Sequence, residues 1–525
     1  MSFSKGINAS AATLTKLRTG NSSCPFSGMC VTCLDGCAGL CEIGKSSVRG
    51  KETLYPQPFG KITAAAEKDY PVDYSHFNIA GTAVGAHGLA ADSDVATFPA
   101  VSLDSAVGTS GEIPLRLPIV IAGMGSTNVA AENWDHLAAG AAISGVGIVI
   151  GENVVGMDPK SEIKNGRVVK SPNLEKRIKD FQNWYNGKGF IAIQANVEDT
   201  KLGIQEYALD KLGVDTVELK WGQGAKDIGG EVKLNTLERA KQLYGRGYIV
   251  MPNPEDPEVQ NAFNAGAFSE FERHSRVGMV TEDGFHARVA ELRAAGAKYV
   301  FLKTGAYRAA DLARAVKFAS DAKIDLLTVD GAGGGTGMSP WRMMNEWGIP
   351  TLYIQALLTK YLDRLAEKGA FIPKVAIAGG FTLEDHMFKA IAMSAPYIKA
   401  VGMARSPLTA AMVGKNVGEA LKAGKVPNEY KKYGENLEQI FIYSSELKNQ
   451  LGKDFAKLPV GAIGVYSYFE RLAQGLRQMM CGARKFALPL ITRDDIFALT
   501  KEGAEITGIK YIMDHDAEEA AKIIG

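Results

Sequence analysis

Eight short apolar runs, alternating with amphipathic segments, constrain the fold of this 525-residue chain more than any other feature. They are Ile119–Ala122, Val146–Ile150, Phe190–Gln194, Val214–Lys220, Tyr299–Lys303, Leu326–Asp330, Val375–Ala378 and Ala400–Met403. Helix-like stretches lie among them at Ala130–Ile143, Asn173–Trp184, Ile204–Leu212, Gly284–Ala295, Ala309–Ala319, Leu383–Ala392 and Leu408–Leu421. Eight strands alternating with these helices predict an α/β protein with a (β/α)8 TIM barrel. The competing fold is a doubly wound open sheet. It usually has fewer strands and a glycine fingerprint in its first turn, and none follows Ile119–Ala122.

The barrel is expected over residues 113–425, with a cysteine-rich segment at 1–50 and a linking or wrapping segment at 51–112. A helical C-terminal extension is expected over 426–525, with helical stretches at Ser467–Met480 and Asp494–Thr500. Between strands four and five, Trp221 to Phe285 is longer than a plain barrel needs. It holds Pro252–Glu258 and the cluster Arg273-His274-Ser275-Arg276, and reads as a lid or substrate-binding insertion.

Charge excludes some functions. Lysine plus arginine (59) nearly equals aspartate plus glutamate (58), so no basic stripe proposes nucleic acid and no polybasic run proposes anionic lipid. No apolar stretch approaches the roughly 20 residues that span a bilayer. Met1 to Gly20 lacks an apolar core, so no secretory signal is read and the cytoplasm is the expected compartment.

Barrel chemistry sits at the carboxyl ends of strands. Strand one ends in Gly123-Met124-Gly125-Ser126, and strand two in Gly151-Glu152-Asn153. Strand four gives Glu218-Leu219-Lys220 and then Gly222-Gln223-Gly224-Ala225-Lys226; strand five gives Lys303-Thr304-Gly305. After strand six, Asp330 opens a run in which five of seven residues are glycine, Gly331 to Gly337 without Ala332 and Thr336. Strands seven and eight end in Gly379-Gly380 and Gly402-Met403-Ala404-Arg405. Bare backbone at those last two ends suits a phosphate, and Arg405 adds a charged donor; tight structural turns are the competing reading. Lys220 and Lys303 close otherwise apolar runs, where each is placed to stabilise negative charge on a reduced flavin or a substrate carboxylate, or else to snorkel to the rim.

Together these residues resemble the FMN-binding synthase domain of the glutamate synthase family. The resemblance rests on Gly222-Gln223-Gly224-Ala225-Lys226 after Glu218-Leu219-Lys220, and on Gly334-Gly335-Thr336-Gly337 with Ser339-Pro340. Gly379-Gly380 and Gly402-Met403-Ala404 complete it, and it covers roughly Ile113 to Lys415. It implies an FMN whose phosphate lies over Gly379, Gly380, Gly402 and Met403, with Arg405 beside it. Gly123, Met124, Gly125 and Ser126 would line the flavin ring, with Gln194, Asp330, Gly334 and Gly335 also on the cofactor side. Lys303 would approach the pyrimidine edge.

The family's reaction condenses ammonia with 2-oxoglutarate and delivers hydride from reduced flavin to the 2-imine. Glu152, Lys220 and Lys226 then fall where the 2-oxo acid or imine is handled, and Arg276 is a candidate carboxylate clamp. The chain begins Met1-Ser2-Phe3, with no N-terminal cysteine nucleophile, so ammonia is expected free or from a separate glutaminase subunit. The family's post-barrel cysteine cluster and C-terminal β-helix are not found. Other readings remain open: a related FMN enzyme acting on another amine or imine, such as N-methylglutamate formation, or an electron-transfer subunit without small-molecule turnover.

Five of the six cysteines fall between Cys24 and Cys41. Cys30, Cys33, Cys37 and Cys41, with Cys24 in reserve, are spaced to wrap one metal centre. Such packing suits an iron–sulfur cluster of the 4Fe-4S kind; zinc and unligated thiols are the alternatives. Electrons would then arrive from a ferredoxin or a flavoprotein subunit, and a homo-oligomer is expected.

Overall fold

The computed structural model describes residues 37, 42–50, 70–222, 224, 232–332 and 347–525. Every expected apolar run is a strand of one closed parallel barrel. These strands are β1 (Ile119–Met124), β2 (Gly147–Ile150), β3 (Phe190–Ala195), β4 (Thr216–Lys220), β5 (Tyr299–Thr304), β6 (Leu326–Asp330), β7 (Val375–Ala378) and β8 (Ile398–Met403). They neighbour one another in sequence order, and β8 closes on β1.

Period-two alternation sorts the side chains. Val120, Val149, Phe190, Ala192, Tyr299, Phe301, Leu326, Ala376 and Ala400 fill the lower interior, where Phe190 and Phe301 meet edge to face at 5.0 Å. The alternate residues, among them Ile121, Ile148, Ile191, Val217, Leu302, Leu327 and Ile377, face the surrounding helices. A hairpin, Ser105–Val107 paired with Ile113–Leu115, adds Val107, Ile113 and Leu115 to the interior cluster and so floors the amino-terminal end of the barrel.

Four helices matter here: α2 (Trp134–Ser144) and α3 (Arg405–Lys422) of the repeat, and α1 (Glu42–Arg49) and α4 (Val460–Gly482) outside it. The 23-residue α4 contains the expected Ser467–Met480 stretch and packs on α1, α2 and α3. The contacts are close: a Cβ on Gly414 would lie 3.0 Å from the Gly461 carbonyl, and one on Gly140 would lie 2.5 Å from Val465.

Three features differ from expectation. Asp494–Thr500 is not a helix: Arg493–Asp495 makes one 3-10 turn, and Ile496–Ala498 is a strand antiparallel to Phe77–Ile79. Ile496 and Ala498 are fully buried on either side of half-exposed Phe497, a period of two that the short window hid. The insertion after β4 has a core of its own. Val232–Leu234, Phe271–His274 and Ile249–Met251 form an antiparallel sheet, backed by helices Leu237–Gly245 and Pro257–Asn264 around Leu243, Tyr248, Val250 and Phe271. Finally, a 17-residue helix, Thr351–Glu367, follows β6, where no helical segment was singled out.

Candidate active site

At the carboxyl end of the barrel the inward positions turn from apolar to polar. The same alternation that points Phe190 and Ala192 inward brings Gln194 in; Glu218 and Lys220 follow Thr216, Lys303 follows Phe301, and Asp330 follows Thr328. Lys303 stands in register with Lys220 on β4 and with Thr328 on β6. Each lysine has its own carboxylate: Lys303 Nζ lies 3.1 Å from Asp330 Oδ2, and Lys220 Nζ lies 2.7 Å from Glu152 Oε1. One layer below, Gln194 Nε2 donates to Glu218 Oε1 at 2.5 Å.

These groups are deeply buried, Glu218 at 1% exposure and Lys303 at 5%, so their charges interact strongly. Burial pushes the Glu218 carboxyl above its ordinary range, against the pull of Lys303 and the Gln194 hydrogen bond. Burial also opposes the charge on Lys303, but the Asp330, Glu218 and Glu152 carboxylates together outweigh it and hold the ammonium above the usual lysine range. The barrel therefore keeps a permanent cation in its mouth.

Backbone approach supplies the rest. A Cβ on Gly125 would lie 2.1 Å from the Glu152 carbonyl, so the ends of β1 and β2 touch main chain to main chain. A Cβ on Gly123 would lie 2.9 Å from Gln194 Oε1. After β7, Gly379 and Gly380 have φ of +127° and +108°, which side chains rarely adopt, and Thr351 Oγ1 donates to the Gly379 carbonyl at 2.7 Å. Gly402 and Met403 end β8 beside them, and Arg405 begins α3. Gly224 reaches across the mouth, where a Cβ would lie 2.1 Å from the Gly331 carbonyl and 2.9 Å from Asp330 Oδ1.

The structure thus brings together Gly123, Met124, Gly125, Ser126, Glu152, Gln194, Lys220, Lys303 and Asp330 at one end of the barrel, with Gly379, Gly380, Gly402, Met403 and Arg405 at the adjoining ends of β7 and β8. Arg276 is engaged elsewhere: its Nη1 lies 2.8 Å from Glu198 Oε2, and its Nη2 donates to the Gly247 carbonyl at 3.0 Å. Lys226, Gly334, Gly335, Cys30, Cys33 and Cys41 lie outside the described residues. Cys37 is half-buried, with its carbonyl accepting from Asn416 Nδ2 on α3 at 3.3 Å.

Several groups were not singled out from sequence. Asp199 is 1% exposed, accepts the Asn153 N–H at 2.9 Å, and has its carboxyl raised to about 7, chiefly by burial and further by nearby Glu152. Tyr248 lies under Arg273 of the cluster read from sequence, whose buried guanidinium sits 5.1 Å from the ring. Tyr468 of α4 donates to the Thr382 carbonyl at 2.5 Å, just past Gly380. Reading strand three one turn past Gln194 would have found Asp199; Tyr468 has no local signal, because it comes from the far end of the chain.

The residues present fit a flavin. Gln194 Oε1 and Thr328 Oγ1 are buried polar atoms without a hydrogen-bond partner in the described structure, both on inward positions at the mouth, and buried polar atoms left unpaired are costly. A ring edge carrying donors and acceptors satisfies such atoms, and the glycine ends of β7 and β8 leave backbone open to a phosphate.

Residues 274–414, which include β5 through β8, match the conserved region in glutamate synthase. The match is a likeness over that second half of the barrel. No curated protein matches the sequence. Among solved structures, the recombinant flavin-binding domain of baker's yeast flavocytochrome b2 is similar at 12% identity and a TM-score of 0.46, covering 85% of this chain and 81% of that one. An (S)-mandelate dehydrogenase mutant is similar at 15% identity and a TM-score of 0.44, covering 81% and 88%. A putative lactate oxidase of Pediococcus acidilactici is similar at 14% identity and a TM-score of 0.42, covering 79% and 80%. No helix of the described residues is long and apolar enough to cross a membrane.

Proposed function

We propose that this chain reductively aminates a 2-oxo acid, 2-oxoglutarate with ammonia, to the amino acid at an FMN held in the barrel mouth. The observation that carries the reading is the pair of buried lysine–carboxylate couples, Lys303–Asp330 and Lys220–Glu152, side by side at the carboxyl ends of the strands.

Lys303, kept charged by Asp330, would hold the pyrimidine edge of FMN together with Gln194 and Thr328. Gly379, Gly380, Gly402, Met403 and Arg405 would hold its phosphate, and Gly123 to Ser126 its ring. Gly334 and Gly335 belong to the same cofactor set by sequence. When bound and reduced, FMN supplies a hydride to an electrophilic carbon.

The chain's own groups handle the rest of the chemistry. Lys220 and Lys226 would hold the carboxylates of the 2-oxo acid. Glu152 would accept the proton that ammonia loses on condensing and return one to the imine nitrogen as the carbon is reduced; water leaves in the first step. Two carboxylates on one substrate call for more than one cation, and Lys220 with Lys226 would provide the pair. Arg276 would serve as a clamp only on leaving Glu198.

We further propose that Cys30, Cys33, Cys37 and Cys41 hold an iron–sulfur cluster of the 4Fe-4S kind that feeds electrons from a ferredoxin or flavoprotein subunit. Their spacing supports it, as does Cys37, which sits against α3, the helix that follows β8. The family match spans 274–414 and leaves Glu152 and Lys220 outside it, so a related FMN enzyme acting on another amine or imine is the second reading.

The test is anaerobic purification, an absorption spectrum, and iron and sulfide analysis, followed by reoxidation of the photoreduced protein. Flavin bands with reoxidation dependent on both 2-oxoglutarate and ammonia, lost in Lys226→Ala with flavin retained, are expected. Flavin that is indifferent to 2-oxo acids would refute the amination, and a colourless protein would refute the flavin. About four irons per chain are expected for the cluster, and their absence refutes it.

A further inference from the structure

The amino-terminal end of the barrel, opposite the mouth, holds a second arrangement that the reductive chemistry does not use. Along the β7–β8 ladder Val375 pairs with Ile398 and Ala376 with Ala400, so Lys399 is an extra residue in a bulge. Bulges re-aim a side chain at a cost to the ladder. Here the bulged backbone is tied down: Ser105 Oγ, from the hairpin that floors the barrel, donates to the Lys399 carbonyl at 2.6 Å.

The bulge brings Lys399 to the side of Lys374, the residue before β7. Burial first, and then the charge of Lys374, pushes the Lys399 amine below the usual lysine range. Among the described residues no carboxylate pairs with either lysine. The carboxylate that shares their cavity, Asp104, is already bound by Lys188 at 2.7 Å.

Both lysines open into a cavity of about 390 Å³ whose wall is mostly apolar: Ile391, Pro396, Leu488 and Ile491. That volume is in the range of small-molecule sites, which pair an apolar wall with a few convergent polar groups. Two cations lining one cavity without an acid destabilise each other, and an anion bound beside them relieves both. We propose that this cavity binds a small organic carboxylate with an apolar body, its carboxylate held by Lys374 and Lys399.

The test uses the full-length holoprotein and two probes of one shape, phenylacetate and its neutral counterpart phenylacetamide, titrated by calorimetry. Saturable one-to-one binding of phenylacetate is expected, at least tenfold tighter than phenylacetamide. The Lys374→Met/Lys399→Met variant should bind phenylacetate at least tenfold more weakly, with its unfolding midpoint unchanged. No phenylacetate binding, equal affinity for the amide, or undiminished binding by the variant each overturns the proposal; the last would place the anion elsewhere, the mouth included. If the double variant does not fold, the carboxylate–amide comparison on the unaltered protein and the single Lys399→Met variant decide it.

Discussion

Asp199 offers a perturbation whose size follows from its surroundings. Its carboxyl is raised from 3.8 to about 7 because it is buried, with Glu152 adding repulsion and the Asn153 N–H pulling the other way. A raised folded value means that the folded protein holds the proton where the unfolded chain releases it, so this contribution to stability is whole below about pH 4 and lost as pH rises through about 7. At about 1.4 kcal/mol per unit, the roughly three-unit shift is worth about 4 kcal/mol in full. Between pH 5 and pH 8 the part that changes is about 3 kcal/mol, a ceiling for a site with other charges close by.

Asp199→Asn removes the titration. Its amide oxygen still accepts the Asn153 N–H, and whatever fixed cost or gain the new amide brings does not vary with pH. The assay is urea unfolding of both proteins at pH 5 and pH 8, followed by circular dichroism. Relative to the unaltered protein, the variant should gain up to about 3 kcal/mol between the two pH values; titrations shared by the two proteins cancel in that difference. Parallel pH dependences would show that Asp199 is ionised in the folded protein, and the reasoning from burial would fail.

Two further outcomes test the mouth. Lys303→Met leaves Asp330 and Glu218 buried without their cation and should lower the flavin midpoint potential by about 30–60 mV, the equivalent of about 1.5–3 kcal/mol for one charged hydrogen bond; potentiometric titration measures it. Gly125→Ala places a methyl group 2.1 Å from the Glu152 carbonyl and should cut flavin occupancy at least tenfold, read from the ratio of flavin to protein absorbance. Gly245→Ala, with nothing within 4 Å of the added carbon and a helical position, serves as its control and should be neutral or stabilising by about 0.5–1 kcal/mol.

The barrel was legible because its signal is local and repeated. Each of the eight runs buries both faces, so each reads as a short apolar stretch closed by a polar or glycine residue. Lys220, Lys303 and Asp330 could be found because a charge that ends such a run has few innocent places to go. Glu218 was passed over as a neighbour of Lys220, although period-two alternation puts both on the inner face. The strand at Ile496–Ala498 was misread because three residues carry no period, and its partner, Phe77–Ile79, is some four hundred residues away. Arg276 was chosen by charge in a loop, and its Glu198 partner comes from a different βα unit. Pairings of that kind are set by tertiary contact, which a single sequence does not display.

The way α4 lies against α2 and α3 bears on how the protein is made. Gly461 N–H donates to His136 Nδ1 at 2.9 Å across 325 residues of chain, and Tyr468 reaches the loop after β7. Contacts of such long range slow folding, because the intervening chain must be closed before they form. A ribosome emits residues in order, at about 5–20 per second, so the strands are all synthesised well before residues 460–482 arrive to cover α2 and α3. Until then the glycine faces that α4 covers stay open to water and to other chains. The nascent barrel therefore has a window of about 4–16 seconds between the end of β8 and the end of α4 in which chaperones have most to do.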